Sequence, residues 1–357
     1  MQLALLASLT ALIVSLCFTP VVRWLAVKLK IFAHPNHRTV HKERVPKSGG
    51  LSIFLAFVAG LGVLGYASGG LGAIWGLVAG GGLVLVLGLL DDVFVVSCNR
   101  KLLVESVAAG VAFWSGYALH TVSSPFGTVE LGIWSLPLSI LWIVGITNAI
   151  NLLDGLDGLA GGFSVLVAGF ILVAAGFAQN LVLAGVALVF IAAILGFLRY
   201  NFPPARIFMG DTGSLFLGFC LACLSLQAFT GQESGTHLAV LFIPFGIPIT
   251  DTFLAIARRL TLGKHPFSAD RKHIHHRLLD LGLTQSTAVL VIYAMTFLCG
   301  VAGLVLLFVD VHFASLVIVG VVLFFLLTLL YLDCFDFVGK RRRRRLGVLR
   351  VNQKQNG

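Results

Sequence analysis

The sequence predicts an all-α, polytopic integral membrane protein with about eleven transmembrane helices, its N-terminus outside and its C-terminus in the cytosol. Three observations carry this expectation. Hydrophobic residues make up 58% of the chain and charged residues 11%, with a mean hydropathy of +0.99, so the polar groups are too few to cover a water-facing surface. The apolar residues fall in runs near the roughly 20 that a helix needs to cross a bilayer. Finally, all 25 lysines and arginines fall on one side when those runs are threaded alternately through a membrane.

In order, the runs lie near 3–22, 49–67, 71–90, 102–119, 133–150, 158–177, 180–198, 213–230, 238–257, 286–309 and 312–333. The first has no basic residue before it and Arg23 after it, the pattern of a retained helix that starts outside rather than of a cleaved signal. Basic residues then appear in alternate breaks: seven from Arg23 to Lys47, Arg100 and Lys101, Arg199 and Arg206, six from Arg258 to Arg277, and eight from Lys340 to Lys354. The intervening breaks, at Tyr66–Gly70, His120–Gly132, Gln179, Gly231–His237 and Asp310, contain none. Cytoplasmic loops carry the excess of Lys and Arg, so the basic breaks face the cytosol. A miscounted helix would have scattered the charges over both faces.

The six cysteines lie in apolar segments and read as small core residues, Cys220 and Cys223 included. The 40 glycines suit close helix packing in lipid. No tandem repeat is evident, which leaves one integral domain, 1–339, and a basic tail, 340–357, expected to be disordered.

The carboxylates carry the chemistry. A charged side chain at the bilayer centre costs about 2.5 to 3.5 kcal/mol on insertion scales, yet three helix ends at the cytosolic side hold acids or amides. Asp91 and Asp92 close the third run in GLVLVLGLLDDVF, Asn151, Asp154 and Asp157 follow the fifth in TNAINLLDGLDGLAGG, and Asp211 opens the eighth in RIFMGDTGSLFLG. One acid alone reads as a helix cap; three clusters on one face do not. Asn151, Asp154 and Asp157 are spaced by three, so in a helix they share a face beside glycines that allow close backbone approach. Neighbouring carboxylates repel unless they share a proton or a cation. Oxygen ligands of this kind suit Mg²⁺, which takes one or two carboxylates together with substrate phosphates. The helix start at Gly210–Ser214 favours an anion, and Asn201 and Phe208 just upstream offer an amide and a ring face for a base, although a lone Phe is more often core.

The segment HPFSADRKHIHHRL, residues 265–278, supplies four histidines with Arg271, Lys272 and Arg277, donors for phosphate or sugar oxygens. A zinc site fits poorly, since no cysteine lies near and the acids lack ligand spacing. Lys42, in HKERVPKSGG, belongs to the other basic loop.

The motifs LLDDVF, NAINLLDGLDGLAGG, FMGDTGSL and PFSADRKHIHHRL, in this order, resemble those of the polyprenyl-phosphate N-acetylhexosamine-1-phosphate transferases over about His41 to Leu281. The histidine segment resembles the WecA- and TagO-like branch that uses UDP-N-acetylglucosamine, related to the MraY enzymes. The resemblance implies a phosphoglycosyltransferase of the plasma membrane that moves N-acetylglucosamine-1-phosphate from UDP-N-acetylglucosamine to polyprenyl phosphate and releases UMP at the cytosolic face. It implies Mg²⁺ (Mn²⁺ as the alternative) at Asp211 and Asn151, catalytic roles for Asp91, Asp92 and Asp154, and nucleotide contacts from Lys42, Asp157, Asn201 and Phe208. Arg271, His273, His275 and His276 match the part that holds diphosphate and sugar. The expected partners are a UDP-sugar, polyprenyl phosphate and the bilayer, with no nucleic acid; a homodimer is compatible with the chain. Other readings stay open: another UDP-N-acetylhexosamine, UDP-muramoyl pentapeptide, or a transporter of lipid-linked glycans. A transporter would bind near the midplane and show related halves, and neither is evident.

Overall fold

The computed structural model describes residues 2–33, 44–68, 74–124, 127–229, 238–261, 263, 265, 273–309 and 313–328. The predicted Lys42 and Arg271, and the basic tail 340–357, lie outside the described residues.

The chain folds as helices in the order α1 (Gln2–Lys28), α2 (Gly50–Ser68), α3 (Ile74–Phe94), α4 (Cys98–Trp114), α5 (Ser135–Leu153), α6 (Leu159–Phe177), α7 (Leu181–Asn201) and α8 (Gly210–Phe229). These are followed by α9 (Leu238–Phe242), α10 (Gly246–Thr261), α11 (Ile274–Asp280) and α12 (Gln285–Val305). Two compact units divide at residue 308; the second contains a further apolar helix, α13 (Phe313–Thr328). Among the described residues, eight helical segments are long and apolar enough to cross a bilayer, and α2 and α13 are shorter apolar helices. The protein is therefore a helical, polytopic membrane protein.

Three local expectations are corrected. The all-α expectation has an exception in the break before α5: β1 (Thr121–Ser124) and β2 (Gly127–Glu130) form an antiparallel hairpin, with Thr121 opposite Glu130. The run at 238–257 is not one helix, because a 3₁₀ turn at Ile243–Phe245 separates α9 from α10. Pro244 and Pro248 lack the amide hydrogens that a continuous ladder would use. Cysteines are not uniformly core residues either: Cys220, Cys223 and Cys299 are buried, but Cys17 is exposed and Cys98 half-buried.

Lipid as solvent explains which face of each helix is buried. On α1 the buried stripe is Ala7, Ser8, Ala11, Ser15 and Thr19, at helical spacing, while Leu3, Leu6, Leu9 and Ile13 point outward. Small residues let backbones approach, and hydroxyls bond across the interface. Ser15 Oγ donates to Ala193 O of α7 at 2.7 Å and Thr19 Oγ1 to Ser52 Oγ of α2 at 2.9 Å. In contrast, α8 is apolar around its whole circumference and buried on all sides, from Leu215 through Leu224, as a central helix requires. It packs against α2, α3, α5, α6 and α7. The end of this helix at Gly210 is where the acids meet.

Candidate active site

Two tight features bring α3 and α8 together. Gly88, one turn before Asp92, abuts the backbone of Asp211 and Thr212, where a side chain at position 88 would collide. Gly210 adopts φ +71, a conformation glycine reaches without steric cost, and any Cβ there would strike the Asp92 carboxylate. The end of α3 is thereby pressed onto the start of α8.

The two adjacent aspartates face different partners. Asp92 is buried and accepts from the Asp211 and Thr212 amides at 3.1 and 3.3 Å, from Thr212 Oγ1 at 2.6 Å and from Ser48 Oγ at 3.0 Å. Lys47 Nζ stands 3.2 Å from Asp92 Oδ1, the oxygen that takes the Asp211 amide. Asp92 acts as a helix cap supplied from another helix, satisfying amides that α8 cannot satisfy itself. Asp91 turns the other way: Oδ1 accepts from Val96 N at 2.5 Å and Oδ2 from Lys101 Nζ at 2.5 Å.

Lys101 also reaches Asp211 Oδ2, at 2.8 Å, so one ammonium bridges the acids that end α3 and begin α8. Asn151, in the last turn of α5, donates to Asp211 Oδ1 at 3.2 Å and to Ser214 Oγ at 2.8 Å. One helical turn along α4 from Lys101, buried Glu105 accepts from Asn148 at 2.5 Å, and Asn148 lies one turn before Asn151. Helices α4 and α5 are thus pinned together behind the acids.

Asp154 and Asp157 do not share a helical face with Asn151, because α5 ends at Leu153 and Asp154 occupies its C-cap with ψ 57. Residues 154–158 form a turn closed by Gly158 in the left-handed region, φ 76. The turn is braced from α7 and the loop after it. Asn201 Oδ1 accepts from Gly158 N at 3.1 Å while its Nδ2 donates to Ile207 O at 2.9 Å, and Asp157 Oδ2 accepts from Ala205 N at 3.0 Å. Both side chains are buried. Asp154 feels burial first, and then the charges of Asp211, Asp92 and Asp157, which together push its carboxyl up to about 8. Accumulated acids that oppose one another's ionisation form a site that a cation relieves.

A cavity of about 320 Å³ opens at this point. Of the residues singled out in the sequence, Asp92, Asn151, Asp154 and Asp157 line it from α3, α5 and the following turn. Asn201, Phe208, Asp211 and His276 line it from the other side. Asp91 is joined to it through Lys101. His273 and His275 are buried behind the wall rather than in it. Burial above all, with His276 alongside, lowers His275 to about 3, so this imidazole is neutral at physiological pH.

Lys47 and Lys101 were not picked out by motif, and Thr212 only as a hydroxyl within the helix start at Gly210–Ser214. Lys101 stands in SCNRKLL, where it reads as a topology marker, and Lys47 in VPKSGG reads the same way. Only the bundle reveals that both are aimed at carboxylates.

The donor set fits a divalent cation held partly by substrate. Among the described residues, no group of three or more His, Cys, Asp or Glu side chains is arranged to hold a metal by itself. Hard-oxygen Mg²⁺ sites characteristically use one or two carboxylates and leave the remaining positions to water and phosphate. The Lys101 ammonium marks the point where carboxylate oxygens of Asp91 and Asp211 converge on a positive charge.

Residues 74–229 match the profile of glycosyl transferase family 4. The chain is 41% identical over 322 residues to a probable undecaprenyl-phosphate N-acetylglucosaminyl 1-phosphate transferase of Bacillus subtilis, covering 89% of each protein. It is 34% identical over 323 residues to a decaprenyl-phosphate N-acetylglucosaminephosphotransferase of Mycolicibacterium smegmatis, covering 81% of this chain and 78% of that one. A third relative, an undecaprenyl-phosphate alpha-N-acetylglucosaminyl 1-phosphate transferase of Salmonella typhi, is 32% identical over 370 residues and 98% of each chain.

Proposed function

The chain belongs to glycosyl transferase family 4, and we propose that it transfers N-acetylglucosamine-1-phosphate from UDP-N-acetylglucosamine to a polyprenyl phosphate, with UMP as the leaving group. The observation that carries this reading is the Asp91–Lys101–Asp211 bridge at the edge of a polar-lined cavity of about 320 Å³. An oxygen of the acceptor phosphate forms a bond to the β-phosphorus as the bond from that phosphorus to the bridging oxygen breaks, and the bridging oxygen leaves with UMP. Such a transfer needs positioning and charge neutralisation more than covalent chemistry.

We assign Asp91 to the acceptor phosphate, which it orients and, where that phosphate still carries a proton, deprotonates. Lys101, once drawn from the carboxylates by an incoming anion, neutralises charge on the diphosphate. Asp92 keeps the start of α8, and therefore Asp211, in register. Asp211 and Asn151 are the residues we assign to Mg²⁺, which when bound supplies charge neutralisation at the diphosphate oxygens. His276, with Phe208 and the brace of Asp157 and Asn201, shapes the nucleotide-sugar side of the cavity. A single displacement is favoured because the acceptor is already an anion and needs orientation more than activation.

An apolar groove of about 560 Å³ supports a lipid acceptor. Leu138, Leu141, Trp142 and Ile146 of α5 and Phe253 and Ile256 of α10 line it. Its lining extends along α5 to Ala149, near the end of the helix that carries Asn151. The one-sided Lys and Arg distribution supports a site at the cytosolic face of the plasma membrane, with about eleven spans and the N-terminus outside. The test is UMP release by the purified full chain across a panel of UDP-sugars, with and without Mg²⁺ and polyprenyl phosphate. The reading requires release that depends on both additions and is fastest with UDP-N-acetylglucosamine; release with no lipid acceptor, or preference for a muramoyl peptide donor, overturns it.

A further inference from the structure

Asp251 lies on α10, buried, and lines neither the polar cavity nor the apolar groove. Its two oxygens both hold the start of α11. Oδ1 accepts from Ile274 N at 2.9 Å, and Oδ2 lies 2.8 Å from His273 Nδ1, which donates to it. A carboxylate that takes the first amide of a helix and the imidazole immediately before it fixes both the backbone direction and the ring plane there.

The order is passed along the motif. The His273 ring is parallel to that of His275, 4° between planes and 5.8 Å between centroids, and His275 meets His276 at 4.2 Å. The His275 ring is pressed on Gly155, where a Cβ would collide with it, and Tyr293 of α12 donates to Gly158 O at 2.6 Å. The histidine segment and the turn bearing Asp154 are therefore wedged together, and His276 is the member of the row that reaches the cavity.

We propose that Asp251 is a positioning residue: through His273 it holds the histidine row so that His276 faces the nucleotide sugar, and His273 serves as the tether rather than as a ligand of diphosphate or sugar. The activity readout of this proposal rests on the function proposed above. Without the tether the segment samples other arrangements, and the apparent affinity for the donor falls in proportion to the fraction in the competent one. At saturating donor that fraction recovers, so KM moves and kcat does not.

The full chain in lipid nanodiscs provides the test, with UMP release from UDP-N-acetylglucosamine as the first readout. Asp251→Ala and His273→Ala should each raise the donor KM about tenfold or more with kcat changed less than about threefold, and the double variant should be no worse than either single one, because both remove one unit. His273→Asn keeps an N–H near the Nδ1 position and should recover most of the loss seen with His273→Ala. The second readout is independent of turnover: carbethoxylation mapped by mass spectrometry should mark His276 but not His273 in the unaltered chain, and should mark His273 in Asp251→Ala. A kcat collapse at unchanged KM, failure of His273→Asn to recover activity, or ready modification of His273 in the unaltered chain overturns the tether. Absence of UMP release from the unaltered chain counts against the proposed function alone, since the modification pattern still decides the tether.

Discussion

Asp92 and Thr212 are joined twice, by the threonine hydroxyl at 2.6 Å and by its amide at 3.3 Å. The carboxylate of one helix thereby closes the first turn of another. This separates the paired aspartates by task, since Asp91 spends its oxygens on Val96 and Lys101 instead. Asp92→Ala should cost about 1–2 kcal/mol of stability, as loss of a good helix cap does, and activity should fall with it. Asp91→Asn should leave the melting temperature near that of the unaltered chain while kcat drops about a hundredfold or more, in the range for a lost acid–base group. Thermal unfolding and steady-state kinetics on the two variants check the division; a stability loss in Asp91→Asn larger than in Asp92→Ala would reverse it.

Lys101→Met removes the ammonium that both Asp91 and Asp211 contact. If Lys101 serves the diphosphate, kcat should fall about a hundredfold, the scale for one lost charge-stabilising donor. The metal-free protein should also gain affinity for divalent cations, because two opposed carboxylates are left close together. Metal titration alongside kinetics separates these effects, and unchanged kcat would remove Lys101 from the chemistry.

Asp211→Asn should abolish turnover at ordinary Mg²⁺ and raise the Mg²⁺ needed for half-maximal residual activity about tenfold or more, as loss of a metal-site residue does. The measurement is UMP release against Mg²⁺ concentration. Near-normal activity at the usual concentration would take Asp211 out of the metal site.

Asp154 titrates at about 8 in the fold against an ordinary 3.8. A carboxyl raised on folding binds more protons in the folded chain than in the unfolded one, so its contribution to stability is present below the unfolded pKa and declines as pH rises through the folded value. The metal-free protein should accordingly lose melting temperature between about pH 4 and pH 8, and Asp154→Asn should flatten that decline. Mg²⁺ should flatten it as well by countering the charge of Asp211 and Asp92. A decline equally steep in Asp154→Asn would locate its origin elsewhere.

The helical runs and the clustering of acids were legible because both are local: an apolar stretch of spanning length and a motif at its end need no knowledge of neighbours. Asp91, Asp92, Asn151 and Asp211 could be singled out this way, and eight of the residues named from sequence line a single cavity. The spacing of Asn151, Asp154 and Asp157 misled, because the helix stops at Leu153 where glycines and a buried Asn201 favour a turn. Asp251 and Lys101 stood outside any pattern. A lone acid in an amphipathic helix and a basic pair at a helix start have bland readings until packing supplies the partner.

Composition and charge by themselves determined that the chain is a helical membrane protein, since the solvent in which it can fold is dictated by how little polar surface it owns. They also determined which segments bear the acids and the histidines. Only the tertiary structure decided what each acid does: Asp92 caps α8, Asp91 pairs with Lys101, and Asp251 anchors the histidine row. The reason is physical. A carboxylate's role is set by the donors within about 3 Å of it, and those of Asp92 and Asp251 come largely from segments remote in sequence.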